Sequence, residues 1–319
     1  AECGTLLILE EGQPVVEEIV RGVLPNPVAI RGRLTGELPR TGELTPDSVR
    51  AALGMAPRRT HAASGIVVPR PPALCQGCGH RDMYTALTEV IREEYPAGKV
   101  FSDIGCYTLG LLPPLRTADF LVCMGSSISA GSGFARASGK PVVGFIGDST
   151  FFHSGMTGLA NAVFNHHDLL LVVLDNGTTA MTGHQPNPGM LQEMLGDMSV
   201  HMDREAVVRG LGVTECVKVK AFNLKAVTKA LEEMKGKSGV RVLIAEEPCV
   251  LYARRRLKKG QPQVAQVVQQ GEEALRCLEQ LACPAFYRQG DNLAVDETLC
   301  SGCMICLQIA PTAFKAKKR

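Results

Sequence analysis

Val142-Val-Gly-Phe-Ile-Gly147-Asp148-Ser149-Thr150 is an apolar run that ends in a small-residue turn carrying a carboxylate. Leu169-Leu-Leu-Val-Val-Leu174 ends in the same manner, in Asp175-Asn176-Gly177-Thr178. Runs that are apolar throughout, without alternation, belong to strands covered on both faces. Further runs occur at 120–124 and 242–245, and helix-like stretches at 81–94, 127–138, 155–165, 190–195 and 225–235 lie around and between them. This alternation predicts an α/β fold on a mostly parallel sheet. Such sheets bind ligands beyond the carboxyl ends of their strands, which is where Asp148 and Asn176 fall. Two neighbouring strands ending in Asp and Asn offer hard oxygen ligands to one divalent ion, and Mg²⁺ takes such ligands together with phosphate oxygens. Met124-Gly125-Ser126-Ser127 is a small-residue entry into a helix, where backbone N–H groups can donate to phosphate oxygens.

Outward from this centre, 319 residues suffice for one large core or two domains, and 45% hydrophobic with 21% charged residues is a globular composition. The 34 basic and 32 acidic side chains give no global field for nucleic acid, and no Trp with only five Tyr leaves no aromatic-interleaved basic face. No apolar run reaches the roughly 18 to 20 residues of a membrane span, and no signal-peptide pattern opens the chain, so a cytoplasmic location is expected. Residues 1–72 read as a strand and helix segment with a linker: a strand at 5–9, a helix from Val15 with Glu17 and Glu18 on its wet side, and a short helix from Asp47 to Leu53 that Thr45 caps and Pro46 starts. Residues 73–260 form the α/β domain, and 261–319 a small Cys-rich tail. The basic stretch Arg254 to Lys259 between them reads as a solvated segment or as a contact for an acidic partner.

Twelve cysteines in a reducing compartment point to metal or cluster chemistry. Cys300-Ser-Gly-Cys303-Met-Ile-Cys306 can wrap three corners of a [4Fe–4S] cube, and Cys283-Pro284 is the candidate for the distant fourth ligand of a ferredoxin-like module. Position 310 is Ala where a second cluster would need Cys, so one cluster is expected in the tail. A zinc knuckle on the same four thiolates is the alternative.

The spacing from Gly147-Asp148-Ser149 to Asn176 resembles the thiamine diphosphate motif of the thiamine enzymes, with Ser149 where the common form has Gly. That resemblance implies that Asp148, Asn176 and the backbone carbonyl of Thr178 hold Mg²⁺ against the diphosphate. Pro72-Ala-Leu-Cys75-Gln-Gly-Cys78-Gly-His80-Arg81, Asp103-Ile-Gly-Cys106-Tyr-Thr-Leu-Gly110, the stretch from Gly147 to Gly155 and the stretch from Asp175 to Gln185 together resemble the carboxyl-terminal half of the alpha subunit of indolepyruvate ferredoxin oxidoreductase. This family is one of the thiamine-dependent 2-oxoacid:ferredoxin oxidoreductases. The resemblance implies oxidative decarboxylation of an arylpyruvate such as indolepyruvate, with coenzyme A as co-substrate, giving acyl-CoA, CO₂ and reduced ferredoxin. It also implies partners: a polypeptide carrying the pyrimidine-binding domain and its activating Glu, a gamma/beta-type subunit, and ferredoxin.

Within the wider superfamily, Cys75, Cys78, Cys106 and Cys249 are similar to the set that holds a [4Fe–4S] cluster proximal to thiamine. His80, His153 and His184 are the candidates for contacting diphosphate or substrate, and Gly125, Ser126, Ser127, Gly147 and Ser149 complete the cofactor cradle. Two rival readings stand beside this one: a non-oxidative thiamine-dependent decarboxylase subunit, which the cysteine-rich tail opposes, and a catalytically inactive iron–sulfur electron-transfer subunit, which the Asp148 to Asn176 pairing opposes.

Overall fold

The computed structural model describes residues 3–23, 25–59, 61–62, 64–67, 71–94, 99–190, 201–257 and 263–319. They fall into two compact units, Ala1–Arg70 and Pro71–Arg319. In the first unit Thr5–Leu7 (β1) and Ala29–Arg31 (β2) pair in parallel. The helix Pro46–Ala52 starts as its sequence suggests, with Thr45 accepting from the Ser48 N–H and Pro46 in the first turn. Glu17, expected on the wet side of the helix Val15–Arg21, is instead fully buried. The following loop lies over that face and needs an acceptor, and Glu17 Oε2 receives the Leu34 N–H at 3.0 Å. The buried Arg33 guanidinium ties the same loop to the carbonyls of Glu10 at 2.9 Å and Gly42 at 3.3 Å.

The second unit is built on six parallel strands: Lys99–Ser102 (β3), Phe120–Leu121 (β4), Val142–Gly147 (β5), Leu169–Asp175 (β6), Glu215–Lys220 (β7) and Val240–Glu246 (β8). Their order is β4-β3-β5-β6-β8-β7. Every residue of β5 and β6 is buried, because helices cover both faces. Val143, Phe145, Leu170 and Val172 face one core with the helices Gly79–Glu94 and Leu224–Lys235. Val142, Ile146, Leu171 and Val173 face the other with Ser126–Ser138 and Met156–Phe164. Each such side chain taken from water contributes roughly 1.5–3 kcal/mol.

Two strands went unread. β3 is short, and β7 alternates charged and apolar residues because it is an edge strand with one wet face. The run at 120–124 yields only two strand residues, and the helix expected at 190–195 falls on residues 191–200, outside the described residues.

In the tail, Gln263–Val267 (β9) pairs antiparallel with Phe314–Lys318 (β12), and Phe286–Gln289 (β10) with Asn292–Val295 (β11). The helices Glu272–Leu281 and Ile305–Ile309 lie in sequence between these strands. Cys277, Leu281, Ile305 and Phe314 join the core beneath the helix Gly79–Glu94, so the tail is packed against the sheet's covering layer. Among the described residues no helix is long and apolar enough to cross a membrane.

Candidate active site

β5 and β6 run side by side, with Gly147 opposite Leu174, so the turns that follow them open at one edge of the sheet. There Asp148, Ser149, Asn176 and Thr178 line a cavity of about 180 Å³ together with His80 and Cys106. Asp148 is buried, with Oδ1 accepting the Ser149 N–H at 2.8 Å and Oδ2 accepting Asn187 Nδ2 at 3.1 Å. Asn176 Oδ1 accepts the Thr178 N–H at 3.1 Å. Gly147 is demanded by close approach, since a Cβ there would lie 2.6 Å from Tyr107 Cε1.

Burial first, and then the neighbouring Asp175 carboxylate, push Asp148 up to about 6. Asp175 is also raised by burial, although Arg204 Nε donates to it at 2.5 Å. Two buried carboxylates against one guanidinium leave negative charge uncompensated, and a divalent cation would neutralise it. The available donors are a carboxylate, an amide oxygen and a backbone carbonyl, which is the hard-oxygen set Mg²⁺ prefers. The residues therefore fit the metal and the diphosphate it would carry.

Gly125 enters the helix Ser126–Ser138 in the left-handed region, at φ 86°, where a Cβ would also lie 2.7 Å from Ser154 Oγ. Asp103 holds this turn from below. It accepts the Gly125 N–H at 3.1 Å, the Ser127 hydroxyl at 2.6 Å and the Tyr107 hydroxyl. Ser126 Oγ accepts the Cys123 N–H at 3.2 Å, and Met124 is the residue of the turn that lines the cavity.

A second cavity adjoins the first through shared walls, His80, Cys106, Asn176 and Ala180, and is lined also by Cys75, Cys78, Cys249 and His184. Cys249 is placed there because the chain leaving β8 continues along β6: Glu247 N–H donates to the Asp175 carbonyl and Cys249 N–H to the Asn176 carbonyl, both at 2.9 Å. Burial pushes the Cys106 thiol up to about 12, with Cys78, Cys249 and Cys75, which line the same cavity, adding to the shift. A second group forms in the tail. Cys306 is raised well above its ordinary value by burial, then by Cys277, Cys303, Cys283 and Cys300.

All twelve cysteines are free thiols. Among the described residues, no three His, Cys, Asp or Glu side chains stand close enough to share a single metal ion. Four thiols line one cavity and four more lie in the tail, the number that a cluster would take while spreading its ligands over several irons.

The three histidines separate. His80 is buried, lines both cavities, and has no hydrogen-bond partner for either ring nitrogen among the described residues. Burial lowers it to about 4 against the opposing pull of Asp148, so the ring is neutral near pH 7. His184 lines the cysteine cavity with its ring 5.4 Å from that of Tyr252, and burial lowers it too. His153 is exposed on the turn Phe151–Gly155 and lines neither cavity.

Sequence reasoning passed over Asp103, Tyr107, Asn187 and Arg204 as individual contributors. Asp103 had a usable signal, since it follows β3 as Asp148 follows β5. Asn187 and Arg204 had none, because only the return of the chain after β6 brings them to Asp148 and Asp175.

Residues 103–245 match the family model for the thiamine pyrophosphate enzyme, C-terminal TPP binding domain. The chain is 36% identical over 329 aligned residues to indolepyruvate oxidoreductase subunit IorA of Archaeoglobus fulgidus, covering 98% of this chain and 52% of that protein. To the subunit of the same name from Methanothermobacter marburgensis it is 39% identical over 317 residues, covering 96% and 51%. The chain thus spans about half the length of the curated relatives it matches. A solved 2-oxoglutarate:ferredoxin oxidoreductase from Magnetococcus marinus, with 2-oxoglutarate, coenzyme A and succinyl-CoA bound, shares the fold at a TM-score of 0.51 and 19% identity, over 57% of this chain and 66% of that one.

Proposed function

Because this chain belongs to the family of indolepyruvate oxidoreductase IorA subunits, of which it spans about half, we propose that it is the thiamine-diphosphate-binding part of a 2-oxoacid:ferredoxin oxidoreductase acting on an arylpyruvate such as indolepyruvate. In this reading the bound thiamine supplies decarboxylation chemistry and two [4Fe–4S] clusters accept single electrons. Asp148, Asn176 and the Thr178 carbonyl hold Mg²⁺. Cys75, Cys78, Cys106 and Cys249 hold the proximal cluster, and Cys283, Cys300, Cys303 and Cys306 the one in a ferredoxin-like tail. Neutral His80 stands between the metal set and the thiols, able to donate one hydrogen bond and accept another without adding charge. His184 closes the thiol side.

The observation that carries the proposal is the pair of adjoining cavities, one lined by the Asp148, Asn176 and Thr178 set and the other by four thiols, with His80, Cys106 and Asn176 in the wall of both. A decarboxylase with no electrons to pass on has no use for thiols at that distance. The tail's two strand–helix–strand units, with outer strands paired together and inner strands paired together, further support a ferredoxin-like module. The complete enzyme of this proposal works in the cytoplasm with coenzyme A, a polypeptide bearing the pyrimidine-binding domain and activating Glu, a gamma/beta-type subunit and ferredoxin.

The test is anaerobic purification with whatever partners accompany the chain, then measurement of iron, acid-labile sulfide, zinc and thiamine diphosphate, and of indolepyruvate- and coenzyme-A-dependent ferredoxin reduction. About eight iron and eight sulfide per chain are expected. Zinc without sulfide or thiamine would sink the proposal, and full clusters with no arylpyruvate-dependent reduction would sink the substrate assignment.

A further inference from the structure

Arg81 heads the largest fully buried side chains of the molecule and has no place in the metal set, the thiol sets or the histidines. It begins the helix Gly79–Glu94 three residues after Cys78, and its Nη1 donates to the Cys75 carbonyl at 3.2 Å, which pins the guanidinium against that loop. On its other side it lines a cavity together with Cys283. The two cysteine loops touch beside it. A Cβ on Gly77, which sits at φ 70°, would lie 2.9 Å from Ser301 Cβ and 3.7 Å from Cys303 Cβ. Arg81 Nε and Nη2 have no hydrogen-bond acceptor among the described residues. Its neighbour Asp82 approaches Nε only to 3.5 Å, and both Asp82 oxygens are themselves without a donor.

A buried guanidinium with unmet N–H groups is costly unless an acceptor completes it. Thiolate and sulfide sulfurs are such acceptors, and hydrogen bonds to cluster sulfurs, with local charge, set reduction potentials. We propose that Arg81 is a positioning residue shared by the two clusters, donating its free N–H groups to sulfur of the sheet-edge group and of the tail group and raising the reduction potential of both. This rests on the two-cluster reading above. The sign follows from charge: reduction adds an electron to each cluster, and a fixed positive neighbour favours the reduced form. The side chain stays charged, as a guanidinium does in any protein surroundings, with the Asp82 carboxylate beside it.

The experiment poises the anaerobically purified protein, with its partners, at a series of potentials and follows both clusters by electron paramagnetic resonance, alongside iron and sulfide content. Arg81→Met is expected to keep both clusters and to lower the reduced-to-oxidised ratio of each about tenfold at fixed poise. Arg81→Lys should restore most of that ratio, and Asp82→Asn, which removes the opposing charge, should move both clusters the other way. Full iron content with neither cluster shifted, or only one, overturns the inference and leaves the two-cluster reading standing. If Arg81→Met loses iron, Asp82→Asn decides, and unshifted potentials of both clusters in that variant overturn the inference. Unmutated protein with no second cluster overturns the parent reading instead.

Discussion

The two groups of thiols assemble by different routes, the four at the sheet edge half-buried and the tail group with Cys300 and Cys306 buried. Cys283, Cys300, Cys303 and Cys306 lie within one short stretch of chain, so local turns bring them together. Cys75, Cys78, Cys106 and Cys249 come from the start of a helix, the turn after β3 and the segment after β8, and they meet only once the sheet has aligned those strand ends. Closing the loops between such distant residues costs entropy that the sheet core must offset before any ligand is bound. The tail group is therefore a local device, and the sheet-edge group is a property of the whole α/β unit.

That contrast can be broken most sharply by removing one ligand from each group. Cys106→Ser should lower iron from about eight to about four per chain while the tail spectrum persists, and Cys303→Ser should do the reverse. Loss of both clusters from either variant would show that the groups are one cooperative device. Next in size, Asp148→Ala is expected to weaken Mg²⁺-dependent thiamine diphosphate binding at least about a hundredfold with iron unchanged, and Asn187→Ala, which removes only a hydrogen bond to that carboxylate, about tenfold. Calorimetric titration of the cofactor into each variant checks the order, and equal losses would contradict it.

The charge at the sheet edge also makes a stability prediction. Asp148 stands at about 6 in the folded protein against an ordinary 3.8, so its contribution is fully present below about 3.8 and is lost as pH rises through about 6. Asp82, at about 6, and Glu247, at about 7, change in the same direction because Asp82 is buried and Glu247 half-buried. Protein free of Mg²⁺ and thiamine diphosphate should therefore melt at lower temperature at pH 7.5 than at pH 5.5, by an Asp148 share of about 1 kcal/mol, and adding the two ligands should reduce that difference. A melting temperature independent of pH in the ligand-free protein would refute this account. The smallest expected effect is that of Gly77→Ala, which places a methyl group against Ser301 at a left-handed position and should cost about 1–2 kcal/mol by denaturant unfolding. If it also shifts the signals of both clusters, the contact between the two loops matters to more than packing.

Much of the sheet was legible because β5, β6 and β8 are buried on both faces and so are written as uninterrupted apolar runs. β7 was not, since an edge strand with a wet face carries Lys218 and Lys220 in alternation with Val217 and Val219. Glu17 was misjudged for a related reason. Helical periodicity places a carboxylate on the outer side of its own helix and says nothing of a loop that later lies over it. At the site, Asp148 and Asn176 were legible as strand-end residues, and His80, His153 and His184 were legible only as histidines near motifs. The fold then put the first in both cavity walls, the third in one, and the second on the exposed surface.

By itself the sequence determined the layered α/β class, the parallel neighbours whose ends carry Asp148 and Asn176, and the local thiol spacing of the tail. Those are features of short range, dictated by which residues are apolar in a row and how far a few peptide units reach. Only the tertiary structure decided that Cys249 lies beside Asn176, that Asn187 and Arg204 serve Asp148 and Asp175, and that Arg81 lies buried where the two cysteine loops meet. Those pairings join residues far apart in the chain, and the register of parallel strands and the packing of the tail against the helix Gly79–Glu94 are what bring them within reach.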